Sequence, residues 1–321
     1  MSDHAILVTG AAGFIGFHVA RQLLAEGRRV VGLDNLNSYY DPALKRSRLN
    51  VLREDERFSF AHVDVADRRA IHDLFATHRF PAVIHLAAQA GVRPSLDDPV
   101  HDAGVNLMGT LNVLECAIKV EAHKVIYAAS GGTIYGEPKR LPAKESTAQA
   151  SYPLSPYGIS KKAVLDYLGF YQRYRGLDFT ACALANVYGP RQDPFGEAGV
   201  VAIFASSMLA GKVPTIYGDG NQTRDFVFID DVVHAFVQAM ERGSGKLVNI
   251  GTGLETSVNG LYGLLSQIIG FEEEAAYGPL PPGELRRIAL DISVAAKALA
   301  WKPWTHLEDG LAETVAYLKG I

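Results

Sequence analysis

The chain has 321 residues, of which 48% are apolar and 21% charged, and 31 basic against 35 acidic side chains leave a net charge of −4. A chain this long folds as one large domain or two interleaved ones. A mildly acidic balance without basic blocks excludes the usual electrostatic footprint of a nucleic-acid binder. Two cysteines, Cys116 and Cys182, are too few for a disulfide framework or a thiolate metal site, and no apolar run reaches the ~18 residues of a membrane span. Met1-Ser2-Asp3-His4 leads directly into an apolar run, with no basic n-region. The expectation is a cytoplasmic, reducing setting, with no metal, nucleic-acid or membrane partner.

In chain order, residues 5–9, 29–33, 58–63, 82–86 and 124–128 are short apolar runs that read as buried strands. Helical patterns over 18–26, 69–77 and 107–120 lie between them. This alternation predicts an α/β fold, a doubly wound parallel sheet with helices on both faces. A mixed region follows, with helix over 160–174, strand over 179–185, helix over 200–210 and strands over 213–217 and 225–228. The last third holds a strand at 247–250, a helix after Thr256 and a terminal helix over 307–318, with a Pro/Gly turn cluster at 278–283. The predicted division falls near residue 175. Residues 1–175 form the first part, to which parts of 213–246 return, and 176–321 form a smaller, interleaved α/β part.

Gly10, Gly13, Phe14, Ile15 and Gly16 follow the first strand and open the first helix. Glycines here give a tight turn, a backbone that a pyrophosphate can approach and close helix–strand packing, while the helix N-terminus offers free N–H groups. The second strand ends at Asp34-Asn35, where a carboxylate accepts ribose hydroxyls and repels a 2′-phosphate, so NAD is expected over NADP. Asp64-Val65 after the third strand and Leu86-Ala87-Ala88 after the fourth complete the expected cofactor contacts. His85 is read as a packed core residue.

Tyr157 and Lys161 stand four residues apart and share a helical face. A phenol with a pKa near 10 is a poor base at neutral pH. Bringing it to about 7 is about 4 kcal/mol of differential interaction, within reach of an ammonium and an oxidised nicotinamide together. Ser130 closes the fifth strand at the ligand-binding edge of the predicted sheet and is the candidate partner of a substrate oxygen beside Tyr157.

Together with Asn106-Leu107-Met108-Gly109-Thr110, Tyr135-Gly136, Asn186-Val187-Tyr188-Gly189-Pro190-Arg191 and Arg224-Asp225-Phe226, these motifs occur in order over essentially the whole chain. The sequence resembles the extended short-chain dehydrogenase/reductases of the NAD-dependent epimerase/dehydratase family. The stretch from Asn186 through residues 196–199 to Asp231 is most similar to UDP-glucose 4-epimerases. Residues 34–41 and 89–93 also resemble UDP-glucuronate 4-epimerases.

The resemblance implies a Rossmann-type NAD domain followed by a nucleotide-sugar domain, a homodimer and a UDP-sugar substrate. It makes Tyr157 the acid/base, Lys161 the residue that binds nicotinamide ribose and tunes Tyr157, and Ser130 the residue that orders the sugar's 4-oxygen. Asn186, Val200, Tyr217, Arg224 and Glu284 become the substrate contacts. The dehydratase branch uses an Asp–Glu pair after the catalytic hydroxyl; Gly131-Gly132 stand there and carry no acid or base.

Two departures bear on the diphosphate. Pro281 and Ala183 occupy positions where the family commonly has arginine, with Arg191, Arg286 or Arg287 as candidate replacements. Those losses are the motive for a further alternative, a non-catalytic NAD-bound sensor. Thr133 is the reserve for Ser130, and Ile288 falls near the position that gates the sugar's C2 substituent. The helices around 106–120 and 156–174 are the expected dimer contact, where Leu111, Val113, Leu114, Val164, Leu165 and Leu168 serve either that contact or the core.

Overall fold

The structure, a computed structural model, describes residues 4–195, 199–281 and 284–320. Met1–Asp3, residues 196–198 of the substrate-side motif and Pro282-Gly283 lie outside the described residues. The strands are β1 Ile6–Thr9, β2 Val30–Asp34, β3 Phe58–His62, β4 Ala82–His85, β5 Lys124–Ser130, β6 Asp178–Leu184, β7 Asn186–Tyr188, β8 Thr215–Tyr217, β9 Thr223–Arg224, β10 Phe226–Phe228, β11 Lys246–Ile250, β12 Thr256–Ser257 and β13 Ala276–Gly278. The helices are α1 Phe14–Ala25, α2 Pro42–Leu52, α3 Arg68–Thr77, α4 Val92–Asp97, α5 Pro99–Ala103, α6 Thr110–Lys119, α7 Pro156–Arg175, α8 Val200–Leu209, α9 Ile229–Ala239, α10 Val258–Ile269, α11 Ser293–Ala298 and α12 Leu307–Lys319.

Seven strands form one parallel sheet in the order β11-β6-β5-β4-β1-β2-β3. The expected doubly wound sheet is what the chain builds. The inner strands are largely apolar on both faces because each face carries helices, whereas the edge strand β3 keeps Ser59 and His62 exposed, and the side-chain period of two sorts the residues. Ile6, Val8, Val30, Ile84 and Ile126 enter one core. Leu7, Val31, Val83, Val125 and Tyr127 enter the other. Winding reverses between β1 and β4, so the loops leaving their C-terminal ends part there and open a crevice.

Beyond β5 the chain returns to this sheet twice, at β6 and β11. What lies between and after those strands builds three two-stranded pieces, β7 with β10, β9 with β12 and β8 with β13. They stand beyond the crevice and form its second wall.

The helix expected over 107–120 begins inside another element. The pattern over 107–120 is preceded by α4 and α5, and residues Gly104–Gly109 make a π-helical turn that runs into α6. Helix α7 starts where its sequence dictates, with Pro156 in the first turn and the Ser155 hydroxyl accepting from the Gly158 N–H. It ends at Gly176 in the left-handed conformation.

Candidate active site

A cavity of about 860 Å³ runs along the crevice, from the turn after β1 to the wall formed by β8, β9 and the segment around residue 284. Gly10, at φ +71°, sits at its cofactor end, and a Cβ there would be 2.9 Å from the Ala87 nitrogen. A Cβ on Gly16 would fall 2.0 Å from the Gly10 carbonyl oxygen, so that position holds α1 hard against the β1 turn. Gly13 caps α1 without a side-chain hydrogen bond, which leaves the helix N–H groups directed at the cavity. A dinucleotide's pyrophosphate fits this cradle on backbone alone.

Phe14, Ile15, Asn35, Val65, Leu86, Ala87 and Ala88 line the same end. Asp34, 6% exposed, accepts from the Ala12 and Leu36 N–H groups and has Lys45 Nζ 3.7 Å away. Lys45 partly neutralises that carboxylate, so exclusion of a 2′-phosphate rests less on the bare repulsion expected from Asp34 alone. Asp64 does not reach the cavity lining. Its carboxylate accepts from Asn35 Nδ2 at 2.8 Å and from the Ala66 N–H, so it supports Asn35.

At the centre, Tyr157 keeps part of its ring open to the cavity, while Lys161 and Ser160 beside it are buried. Lys161 Nζ lies 5.8 Å from the Tyr157 ring centroid and 4.9 Å from that of Tyr127, and it donates to the Ala128 carbonyl at 2.9 Å. Ser130, at the C-terminal end of β5, lines the cavity beside Tyr157 and acts to lower the pKa of its phenol. Thr133 also lines the cavity, but its hydroxyl turns back to the Ser130 carbonyl at 3.5 Å.

Electrostatics here differ from expectation. Burial pushes the Tyr157 phenol above its ordinary value, the Asp102 carboxylate adds to this and Ser130 opposes it. Burial pulls Lys161 down to about 8, against the Asp102 charge. Without a second cation the phenol is a worse base than free tyrosine, because Lys161 sits beside it in a poorly solvated place that penalises both charges.

A network behind the site was not anticipated. Asp102, fully buried, accepts from Ser160 Oγ at 2.6 Å and from Asn106 Nδ2 at 2.7 Å. Asn106 itself clasps the Gln89 backbone through both amide atoms. The one available signal was Ser160 between Tyr157 and Lys161. Asp102 reads as a solvated helix-start acid until α5 packs on α7.

His85 is the core residue expected. Thr110 Oγ1 donates to the Asn106 carbonyl, and Thr9 Oγ1 accepts from the Leu86 and Ala87 N–H groups. His85 therefore donates through Nε2 to Thr110 and accepts through Nδ1 from Thr9.

At the substrate end, Asn186, Val200, Tyr217, Arg224, Pro281 and Glu284 all line the cavity. Arg224 Nη2 lies 2.7 Å from Glu284 Oε1. The candidate replacements for the lost arginine are engaged elsewhere. Arg286 pairs with Asp219 and Arg287 with Glu255, while Arg191 stacks over Phe17 and Tyr317. Arg93, the last residue of the 89–93 segment that resembles UDP-glucuronate 4-epimerases, lines the cavity over the Tyr217 ring at 5.4 Å and makes no ion pair among the described residues. Ile288 is 2% exposed inside a core cluster and is not among the residues lining the cavity, which corrects its expected gating position.

The fold and the cavity thus define a dinucleotide-binding protein with an adjoining site for a second ligand. Residues 6–251 match the model of the NAD-dependent epimerase/dehydratase family, and the chain belongs to that family. It is 43% identical over 314 residues to a UDP-glucose 4-epimerase of Mycolicibacterium smegmatis, covering 98% of each chain. It is 36% identical to a UDP-glucuronate 4-epimerase of Thermodesulfobacterium geofontis, over 98% of this chain and 95% of that one. Among solved structures it superposes with a TM-score of 0.93 on the UDP-glucose 4-epimerase of Thermotoga maritima with UDP-glucose, at 44% identity over 98% of this chain and 99% of that one.

Proposed function

We propose that the protein is an NAD-dependent UDP-hexose 4-epimerase interconverting UDP-glucose and UDP-galactose. The observation that carries the reading is one cavity in which Tyr157, Lys161 and Ser130 lie between a pyrophosphate cradle and Arg224. NAD, when bound over Gly10, Gly13 and Gly16, supplies the hydride acceptor and the positive ring that the buried phenol lacks. Tyr157 as phenolate takes the proton of the sugar's 4-hydroxyl and later returns it, so the chain's own proton account closes over a turnover. Ser130 holds the 4-oxygen against Tyr157. Lys161 orients the cofactor's ribose and favours the ionised phenol. Arg224 and Asn186 hold the diphosphate, Tyr217 and Val200 the nucleoside side, and Glu284 accepts the uridine ribose hydroxyls once Arg224 turns to phosphate. Gly131 and Gly132 offer no second acid–base pair, which favours epimerisation over elimination.

A second reading, UDP-glucuronate as substrate, is favoured by Arg93, a cavity cation with no carboxylate partner among the described residues. Incubating the purified protein with UDP-glucose, UDP-galactose, UDP-glucuronate and UDP-N-acetylglucosamine, without added cofactor, tests both. C4-inverted hexose product is the expected outcome. Turnover of UDP-glucuronate alone selects the second reading, and inertness toward the panel with retained NAD selects a non-catalytic sensor.

The working form is proposed to be a cytoplasmic homodimer. The free, buried Cys116 and Cys182 suit a reducing compartment, and no described helix is long and apolar enough to cross a membrane. Val100, Met108, Ile159, Phe170 and Tyr174 are large apolar side chains left exposed on α5, the π-turn and α7. They take the place of the residues first considered, since Val113, Leu114, Val164 and Leu168 are core and Leu111 and Leu165 pack against it. Within each protomer, the cofactor-binding part is proposed to comprise residues 1–175 together with β6, α9 and β11, which rejoin its sheet from beyond the expected division, and the nucleotide-sugar part to comprise the remainder.

A further inference from the structure

Ser160 stands between Tyr157 and Lys161 on the first turns of α7, and its side chain faces away from the cavity lining. Its hydroxyl donates to Asp102 Oδ2 at 2.6 Å, and the other carboxylate oxygen is held by Asn106 at 2.7 Å. Asp102, Ser160 and Lys161 are 0%, 5% and 3% exposed. A carboxylate kept this far from water needs a reason, because it is costly unless hydrogen-bonded or matched by charge. The ammonium that the Asp102 charge acts on is that of Lys161, which otherwise meets the Ala128 carbonyl and the rings of Tyr127 and Tyr157.

We propose that Asp102 is a positioning residue of this site: through Ser160 it fixes the rotation of α7 that sets Tyr157 against Lys161, and it places a negative charge behind the Lys161 ammonium. The inference rests on the reading that Tyr157 is the acid/base. Helix α5 carries the carboxylate, and the π-turn after it brings Asn106 to the carboxylate's second oxygen. The ionisable groups facing this cluster are Tyr157, Lys161 and the fully buried Tyr127, whose hydroxyl has no hydrogen-bond partner among the described residues. His85 borders Lys161, and Tyr39 borders Tyr157. The carboxylate raises the pKa of both Tyr157 and Lys161. Its removal therefore lowers both, whereas a slackened helix lowers the rate and leaves both where they were.

The test compares the parent with Asp102→Asn, Ser160→Ala and Tyr157→Phe. C4 inversion is followed across pH as separate kcat and KM profiles, and tyrosinate absorption is titrated against Tyr157→Phe. Asp102→Asn, which can keep both hydrogen bonds by orienting its amide, is expected to move both limbs of the kcat profile and the Tyr157 titration to lower pH by about one unit. Ser160→Ala is expected to lower kcat by about tenfold with both limbs in place. Unmoved limbs and an unmoved titration in Asp102→Asn overturn the electrostatic role, and a parental kcat in Ser160→Ala overturns the clamp. Should Asp102→Asn fail to fold, Asp102→Glu keeps the test open: it retains the charge, so its limbs must stay with the parent's while its kcat falls. Full activity in Tyr157→Phe would instead sink the underlying acid/base reading, and in a protein inert toward the panel the absorbance titration still tests Asp102.

Discussion

At Tyr157 two demands conflict. A base at neutral pH needs a phenol brought down from about 10, yet burial and the Asp102 carboxylate push this one up. The ammonium of Lys161, 5.8 Å from the ring centroid, does not reverse that by itself. A cationic cofactor ring then has to supply more than the ~4 kcal/mol that an unperturbed tyrosine would require. The consequence is coupling: the phenol ionises in the loaded site and stays protonated without it. Tyr157→Phe is accordingly expected to lose at least 10²- to 10⁴-fold in kcat while retaining its NAD, as measured by C4 inversion beside the nucleotide released on denaturation. The motif spacing made Tyr157 and Lys161 legible in the sequence. The sign of the phenol's shift was not, because it depends on Asp102, which reaches the pair only through the packing of α5 on α7.

Among the elements, the β1–α1 connection is the most tightly specified. Gly10 needs its positive φ and its contact with Ala87, and Gly16 leaves no room for a methyl group beside the Gly10 carbonyl. Since the Gly16 obstacle is backbone, the chain itself must move to admit a side chain. Gly16→Ala is expected to cost about 1–3 kcal/mol of stability and to empty the protein of NAD, read by chemical denaturation and by cofactor content after gel filtration. The exposed apolar face of α5, the π-turn and α7 is an element-scale feature too. Met108→Glu with Phe170→Glu is expected to convert a dimer to monomer in sedimentation; a parent that sediments as a monomer removes the dimer proposal. Helix and strand periodicity located α7, the five leading strands and the terminal helix. It ran the end of the π-turn at Gly104–Gly109 into α6 as one helix over 107–120, because a π-turn leaves the apolar pattern nearly intact, and it did not mark the short helices α4 and α5 before it.

For the whole molecule, burial of two histidines ties stability to pH. His18, which hydrogen-bonds the Pro190 carbonyl, and His85 are each lowered to about 3, chiefly by burial. Their folded values lie below the unfolded value of 6.5, so the unfolded chain binds more protons between about pH 3 and 6.5. Stability is fully present above that window and declines on acidification through it, by ~1.4 kcal/mol per pH unit for each histidine. Asp225 and Asp231, whose values are raised mainly by burial, act in the opposite sense. The comparison that isolates the histidine term is therefore His18→Gln against the parent, and its urea midpoint is expected to fall less steeply between pH 6.5 and 4.5. The amino-acid order alone determined the parallel sheet, the glycine turn, Asp34 and the Tyr157/Lys161 pair, because each depends on contacts within one strand–turn–helix unit or on a helical face. Which cations meet at the substrate end was decided by tertiary structure: the chain beyond β5 leaves the sheet and comes back to it, so Arg93 and Arg224 converge on the cavity while Arg191, Arg286 and Arg287 are held elsewhere. Asp102 belongs with these, since its chemistry is set by burial against a helix that begins 54 residues further along the chain.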